Sequence, residues 1–247
     1  MTVQTRDVEY RAGGTSLLGW MALPEGAGAR PAVLVAHEAN GLGEHVMRTA
    51  QRLAGLGYVA FAMDYQGRQE SHSEDELFAR LQYLGDRPEV MRAVGRAALD
   101  VLVSEPRADA SRVAAIGYCF GANMVLELAR GGVDLKAVVG FHPGTADHDP
   151  ASSRDITGKV LVCIGDQDPF MTAAERAAFG EEMGATRVDW QMHLYGGVKH
   201  SFTNPAADDA GIEGLGYNKA ADQRSWHAML GLFDDVLGAP GLQAEAG

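Results

Sequence analysis

A cysteine framed by glycines is the residue of this chain best suited to covalent chemistry, in Gly117-Tyr118-Cys119-Phe120-Gly121. The apolar run Arg112–Ile116 before it predicts a strand, and Ala122–Ala129 after it predicts a helix. A sharp turn between the two drives its central residue toward positive φ and leaves little room for flanking side chains. The thiol would then stand at a helix N-terminus, where the dipole favours a thiolate. The alternative is a buried cysteine in an ordinary turn.

A nucleophile on such a turn is typical of α/β-hydrolases, in which an acid and then a histidine follow it along the chain. Asp166 and Asp168 follow a predicted strand, Lys159–Ile164, and His200 follows another, Val188–Leu194. The carboxyl ends of parallel strands meet at one edge of a sheet, so these groups should converge on the cysteine.

Between the two aspartates we assign the acid to Asp168, because Pro169 constrains its turn, and we expect Asp166 to bind backbone amides. An ordinary Asx turn is the alternative for Asp168. His200 would take the thiol proton, or hold it as an imidazolium beside a thiolate, and later protonate the leaving group. The aspartate would orient the imidazole and stabilise its charged form.

The loop His37-Glu38-Ala39-Asn40-Gly41 follows the apolar strand Pro31–Ala36. In α/β-hydrolases this loop supplies one oxyanion-hole amide and the residue after the nucleophile supplies the other, which predicts the N–H groups of Ala39 and Phe120. Glu38 needs a partner after a buried strand. It could contact the Cys119 thiol and control its ionisation, or form a salt bridge at the sheet edge.

Composition limits the class of protein. The chain has 247 residues and a net charge of −12, which argues against a nucleic-acid partner. Its two cysteines, Cys119 and Cys163, do not suggest disulfides, and neither a signal peptide nor a membrane span is apparent, so a cytoplasmic protein is expected. No metal or cofactor is expected either.

Apolar runs alternate with helical patterns after an opening antiparallel pair, Val3–Tyr10 and Ser16–Leu23. This order predicts an α/β-hydrolase fold, with a mostly parallel central sheet flanked by helices and antiparallel N-terminal strands. We expect one domain over residues 1–247, with insertions at 64–88, 143–158 and 201–217 that could cover a pocket.

Four motifs together resemble the dienelactone hydrolase family: His-Glu-Ala-Asn-Gly with Glu38, Gly-Tyr-Cys-Phe-Gly with Cys119, Gly-Asp-Gln-Asp-Pro with Asp168, and Lys-His-Ser-Phe with His200. The resemblance covers nearly the whole chain. It implies a cofactor-free hydrolase of esters or lactones in which a Cys-His-Asp triad forms an acyl-enzyme. It also implies that Glu38 holds the resting thiol and accepts its proton when substrate arrives.

One position departs from the family. Members that act on dienelactone carry an arginine shortly after the histidine, which binds the substrate carboxylate, whereas this chain has Asn204. Arg80, in the 64–88 insertion, is a candidate replacement cation. His37 and His142, each at a strand end, could also line the pocket, although packing beneath the site is the alternative for both.

The leading interpretation is therefore a hydrolase of a small-molecule ester or lactone, active as a monomer or homodimer. An acyltransferase or cyclase would need the same sharp turn at Cys119, here called the elbow, and the same oxyanion hole. The sequence does not separate these classes. A hydrolase-like binding protein is the third interpretation, which the intact set of Cys119, His200 and Asp168 disfavours.

Overall fold

A single β-sheet runs through the computed structural model, which describes residues 2–67, 73–144 and 150–240. Within these residues its strands are β1 (Gln4–Ala12), β2 (Thr15–Leu23), β3 (Arg30–Ala36), β4 (Val59–Met63), β5 (Ala108–Tyr118), β6 (Ala137–Phe141), β7 (Lys159–Gly165) and β8 (Trp190–Tyr195). Their order across the sheet is β1-β2-β4-β3-β5-β6-β7-β8. β2 pairs antiparallel with both β1 and β4, and every other neighbouring pair is parallel. The predicted fold class is confirmed.

Helices cover both faces of the sheet. They are α1 (Glu44–Gly55), α2 (Glu74–Gly85), α3 (Pro88–Ser104), α4 (Phe120–Arg130), α5 (Ala173–Gly184) and α6 (Lys219–Leu237), with 3-10 helices at Pro150–Asp155 and Pro205–Ala210. α1 and α6 pack on one face, and α3, α4 and α5 pack on the other. β4 and β6 are consequently buried along their whole length, which explains their uninterrupted apolar sequences.

The expected insertions are only partly visible, because 68–72 and 145–149 lie outside the described residues, as do residue 1 and residues 241–247. In the first insertion, α2 begins directly after Ser73 with an acidic cluster, and acidic residues are favourable at a helix N-terminus. Ser73 caps the helix, and the Glu76 side chain returns a reciprocal bond to the Ser73 amide. In the described part of the chain, no helix is both long and apolar enough to cross a bilayer.

The helix that follows Cys119 is tied to its neighbours by buried charges. Arg130 of α4 binds Glu127 of the same helix at 3.0 Å and Glu182 of α5 at 2.9 Å. Arg92 of α3 approaches the other oxygen of Glu127 at 3.0 Å. Because a buried charge needs its partners, this network fixes the position of α4 between α3 and α5.

Candidate active site

Cys119 occupies a strained turn between β5 and α4. Its backbone has φ 53° and ψ −122°, a region that non-glycine residues rarely adopt. The turn is held by two backbone hydrogen bonds, from Cys119 N to Phe141 O at 3.0 Å and from Ala122 N to Cys119 O at 3.0 Å. The side chain is partly exposed, so the thiol is both positioned and accessible.

The flanking glycines are required by close backbone contacts. A Cβ on Gly117 would lie 2.1 Å from the carbonyl oxygen of Gly121. A Cβ on Gly121 would lie 2.3 Å from the carbonyl oxygen of His37, which belongs to the loop after β3. The second glycine therefore allows the elbow to pack against the loop expected to form the oxyanion hole.

His200 and Asp168 form a buried pair. Nδ1 of His200 lies 2.7 Å from Oδ2 of Asp168, whose Oδ1 accepts a hydrogen bond from Phe170 N at 2.8 Å. Asp166 instead accepts from Gly197 N at 2.6 Å, which ties its loop to the turn after β8. The structure thus brings Asp168, and not Asp166, to the histidine.

The backbone of His200 is fixed by the 201–217 segment. His200 N donates to Gly214 O at 2.9 Å, and Gly216 N donates to His200 O at 3.1 Å. Gly214 has φ 90°, and a Cβ there would lie 2.6 Å from Cγ of Pro169. Pro169 therefore packs against the strand-like segment that holds His200, so both residues of the buried pair share one support.

The environment of His200 favours its charged form. Burial lowers its pKa, but the hydrogen bond to Asp168 and the interaction with Cys119 raise it, to about 10 overall. Nε2 is buried and makes no hydrogen bond of standard geometry to any described residue. At neutral pH, an imidazolium beside Cys119 is consequently the favoured state.

The loop after β3 is held by side chains that follow β4. Tyr65 Oη donates to the carbonyl oxygens of His37 at 2.8 Å and Glu38 at 3.1 Å. Gln66 Nε2 donates to Ala39 O at 2.8 Å. The amide of Phe120 is at the first position of α4, where no intrahelical acceptor is available. Ala39, Phe120 and Cys119 all line one cavity.

The carboxylate of Glu38 is largely shielded from solvent and has two side-chain partners. Its Oε2 accepts from Asn204 Nδ2 at 2.6 Å and lies 3.5 Å from Nδ1 of His45 in α1. Burial raises its pKa, but His45, His142 and Asn204 together outweigh this and lower it to about 2. Among the described residues, no hydrogen bond joins Glu38 to Cys119. The alternative of a buried pairing at the sheet edge describes this geometry better than contact with the thiol.

The histidines that follow β3 and β6 pack beneath the site. His37 stacks on Tyr65 at 3.8 Å between ring centroids, and burial lowers its pKa to about 4. His142 Nε2 lies 2.8 Å from Thr203 Oγ1, its ring is 4.9 Å from that of His200, and burial lowers its pKa well below the usual value. Neither lines the cavity that contains Cys119.

The expectation that Arg80 supplies a cation to the pocket is corrected by the structure, because Arg80 does not line that cavity. Its Nε donates to Tyr65 O at 3.3 Å, and its guanidinium lies 5.5 Å from the ring centroid of Tyr83. The helix periodicity of α2 turns Phe78 and Leu81, rather than Arg80, toward the cavity.

The cavity above Cys119 has a volume of about 820 Å³. Its floor is formed by Cys119, His200 and the Glu38 loop, and its walls come from α2, the loop at Phe170 and the segment 204–215. Phe170 also packs edge-on against the His200 ring at 4.7 Å. A space of this size accommodates a small organic molecule over the thiol. No metal-ligating cluster occurs in the described residues.

Comparison with known proteins identifies the family of the chain. The sequence profile of the dienelactone hydrolase family matches residues 17–237. The chain belongs to the dienelactone hydrolase family. Membership makes it a hydrolase of the lactone and ester type.

Two solved structures and one curated relative illustrate the family likeness. The structure named m3DLH is 43% identical with a TM-score of 0.91, and the match covers 95% of this chain and 99% of that one. A dienelactone hydrolase-like promiscuous phosphotriesterase from metagenomic libraries is 39% identical with a TM-score of 0.91, covering 96% and 99%. A "Probable 2-oxo-3-(5-oxofuran-2-ylidene)propanoate lactonase" of a Bradyrhizobium species is 26% identical, covering 90% of this chain and 91% of the relative.

Sequence reasoning missed several residues of this dienelactone hydrolase family site. His45 and Tyr65 each contact the Glu38 loop, but they lie in other elements and carry no motif. Among the described residues, Ser201 joins Cys119 and His142 as a non-glycine residue with positive φ, at 55°. Cys119 and His142 directly follow the carboxyl ends of β5 and β6, and Ser201 directly follows His200. Strained backbone often accompanies function at such positions.

Proposed function

We propose that this member of the family is a cofactor-free hydrolase of carboxylic esters or lactones that works through an acyl-enzyme on Cys119. The observation that carries the proposal is the geometry of His200. Its Nδ1 is fixed by Asp168 at 2.7 Å, while its Nε2 makes no hydrogen bond of standard geometry among the described residues, and His200 and Cys119 line the same cavity.

In the first half-reaction the Cys119 sulfur attacks the carbonyl carbon of the ester, and the carbonyl electrons move to oxygen. The N–H groups of Ala39 and Phe120 would stabilise this oxyanion, and one such donor can contribute about 3 kcal/mol. The C–O bond of the substrate then breaks, and the proton on His200 passes to the leaving alkoxide. A lactone would remain attached as a hydroxyacyl chain.

In the second half-reaction water replaces the alcohol. His200, now neutral, removes a proton from the water, and the resulting hydroxide attacks the thioester carbonyl. Collapse of the intermediate breaks the C–S bond, releases the acid and regenerates the thiolate beside the imidazolium. Asp168 stabilises the imidazolium in both halves.

Glu38 has a supporting role in this proposal. Because its carboxylate has a pKa of about 2 and its Oε2 is already paired with Asn204 and His45, it is a weak acceptor for the thiol proton. We therefore assign the proton to His200. Glu38 instead holds the loop that carries Ala39, which departs from the role implied by the family resemblance.

The test compares the wild type with Cys119→Ala, Cys119→Ser and a matched Cys163→Ala control on p-nitrophenyl esters and lactones. Cys163 is fully buried, and burial raises its pKa to about 12, so its removal should leave turnover intact. We expect Cys119→Ala to abolish turnover and Cys119→Ser to retain little. Mass spectrometry of a slow ester should find the acyl group on Cys119. Unchanged hydrolysis in Cys119→Ala would refute the mechanism.

The same assay separates hydrolysis from acyl transfer. A hydrolase releases acid in water alone, whereas an acyltransferase turns over only when an acceptor alcohol or amine is added.

The proposed chemistry also requires a reduced thiol. Since Cys119 and Cys163 are both free, we place the enzyme in a reducing compartment, the cytoplasm.

A further inference from the structure

The mouth of the Cys119 cavity carries an unusual share of exposed apolar surface. In the described residues, Phe78, Phe170 and Ile212 have 69%, 46% and 56% of their surface exposed, and all three line this cavity. They come from α2, the loop after β7 and the segment after Pro205–Ala210. Large apolar side chains that converge from separate elements indicate a binding surface for an apolar group.

The charges around the cavity are negative. None of the described lining residues is a lysine or arginine, whereas Glu38 and Asp86 both line it. Glu38 is ionised at neutral pH, since its pKa is about 2. Arg80, the expected cation, is bound to the Tyr65 carbonyl outside the cavity. Arg68 lies outside the described residues.

The positive charge of His200 does not alter this balance. Its imidazolium lies 2.7 Å from the Asp168 carboxylate and faces the Cys119 sulfur, so its charge is matched within the site. The Asn204 amide, at the position of the family arginine, donates to Glu38. A substrate carboxylate would therefore meet fixed carboxylates and apolar walls without a fixed cation from the described residues.

On the basis of the proposed hydrolase activity, we propose that the substrates are uncharged esters or lactones with an extended apolar group, rather than small anionic lactones. The reacting carbonyl lies over Cys119. The apolar group extends between Phe78 and Leu81 of α2 on one side and Phe170 and Ile212 on the other. We assign the apolar group to the walls because the walls carry no reacting group, whereas the floor carries Cys119 and His200.

A matched pair of substrates isolates charge from length. p-Nitrophenyl hexanoate and mono-p-nitrophenyl adipate share an acyl chain of the same length, which ends in a methyl group in one and a carboxylate in the other. We expect kcat/KM to be at least about tenfold higher for the hexanoate, because the carboxylate faces like charges in a partly desolvated site. p-Nitrophenyl acetate should also fall about tenfold below the hexanoate, since it leaves the walls uncovered.

Variants then assign the effect to the walls. Phe78→Ala and Ile212→Ala should lower kcat/KM by a larger factor for the hexanoate than for the acetate, and both positions are exposed, so folding should be unaffected. Leu194→Ala is the matched control, because Leu194 on β8 is about as exposed as Ile212 but does not line the cavity. Asp86→Asn should raise activity on the adipate ester, and Arg68→Gln should leave the preference unchanged.

The two proposals fail in different ways. If Cys119→Ala retains activity, the proposed function is wrong. If Cys119→Ala is inactive but the wild type prefers the adipate ester, only the substrate class is wrong. A preference for the adipate ester that Arg68→Gln removes would assign the missing cation to Arg68 and overturn the inference in the same way.

Discussion

At the scale of single residues, His200 has a charge that depends strongly on its neighbours. Its pKa is about 10 in the fold against an ordinary value of 6.5, so its protonated form stabilises the native state. That contribution is complete below pH 6.5 and is lost as the pH rises through about 10. We therefore expect the stability difference between wild type and His200→Gln to shrink over this interval.

The measurement is the free energy of unfolding in urea for both proteins at several pH values across that interval. Comparing the two proteins cancels the titration of other groups to first order. A difference that stays constant, or that grows toward alkaline pH, would show that His200 does not carry the raised pKa.

Glu38 gives the opposite pH dependence. Its pKa is lowered from 4.5 to about 2, so it stabilises the fold above pH 4.5, and this contribution is lost as the pH falls through about 2. His45→Gln removes one of its partners and should reduce stability at neutral pH by about 1–3 kcal/mol. The difference from wild type should disappear toward pH 2.

Acid titration of stability for wild type, His45→Gln and His227→Gln tests this prediction. His227 is an exposed histidine of α6 that bonds its own helix, through Gln223 O at 2.7 Å, and its substitution is the matched control. Equal effects of the two substitutions would mean that His45 does not support Glu38.

The sequence predicted the residues that carry a motif and missed those that act through tertiary contacts. Asp168 was separable from Asp166 because Pro169 constrains its loop. The partnership of Glu38 with Asn204 was beyond prediction, since 166 positions separate them and neither side chain indicates the other. In the sequence, Asn204 was notable only because the family arginine is missing at its position, whereas in the structure its side chain donates a hydrogen bond to Glu38.

At the scale of elements, the packing of the elbow on the loop after β3 depends on Gly121 having no side chain. Gly121→Ala would place a Cβ 2.3 Å from the His37 carbonyl oxygen, so the loop or the elbow must move. We expect it to cost more than about 3 kcal/mol of stability, since backbone cannot give way as a side chain can. Gly231→Ala is the matched control.

Gly231 lies inside α6 with no atom near its absent Cβ, so alanine there should stabilise by about 0.5–1 kcal/mol. Thermal and urea unfolding of both variants give the comparison. If Gly121→Ala were as stable as wild type, the close approach of the elbow and the loop would be wrong.

Most element positions followed from hydrophobic patterns, and the exceptions have physical causes. β5 begins at Ala108, four residues before the predicted Arg112, because Ala108 pairs with Arg30 of β3, and a register shift over polar residues separates this pair from the apolar run that starts at Val113. The sequence indicated an insertion at 64–88 but not the role of α2 within it. In the sequence, an exposed Phe78 cannot be distinguished from any other surface residue, because its role depends on the opposite wall of the cavity, which only the tertiary structure defines.

At the scale of the whole molecule, the net charge of −12 acts on any charged substrate before it reaches the cavity. We expect kcat/KM for mono-p-nitrophenyl adipate to rise with salt between about 0.01 M and 0.15 M, where screening shortens from about 30 Å to about 8 Å. The uncharged hexanoate should not respond. An equal response of both esters would show that the salt acts on the enzyme rather than on charge repulsion.

The walls and the floor of the cavity belong to different parts of the architecture. Cys119, Asp168 and His200 follow strands of the central sheet, whereas Phe78 and Ile212 are exposed positions on peripheral segments. Substitutions at such exposed positions usually change stability by no more than about 0.5 kcal/mol. Selectivity can therefore diverge here without disturbing the reacting groups. A directed-evolution library confined to the wall positions would sample new substrates while nearly all of its members still fold.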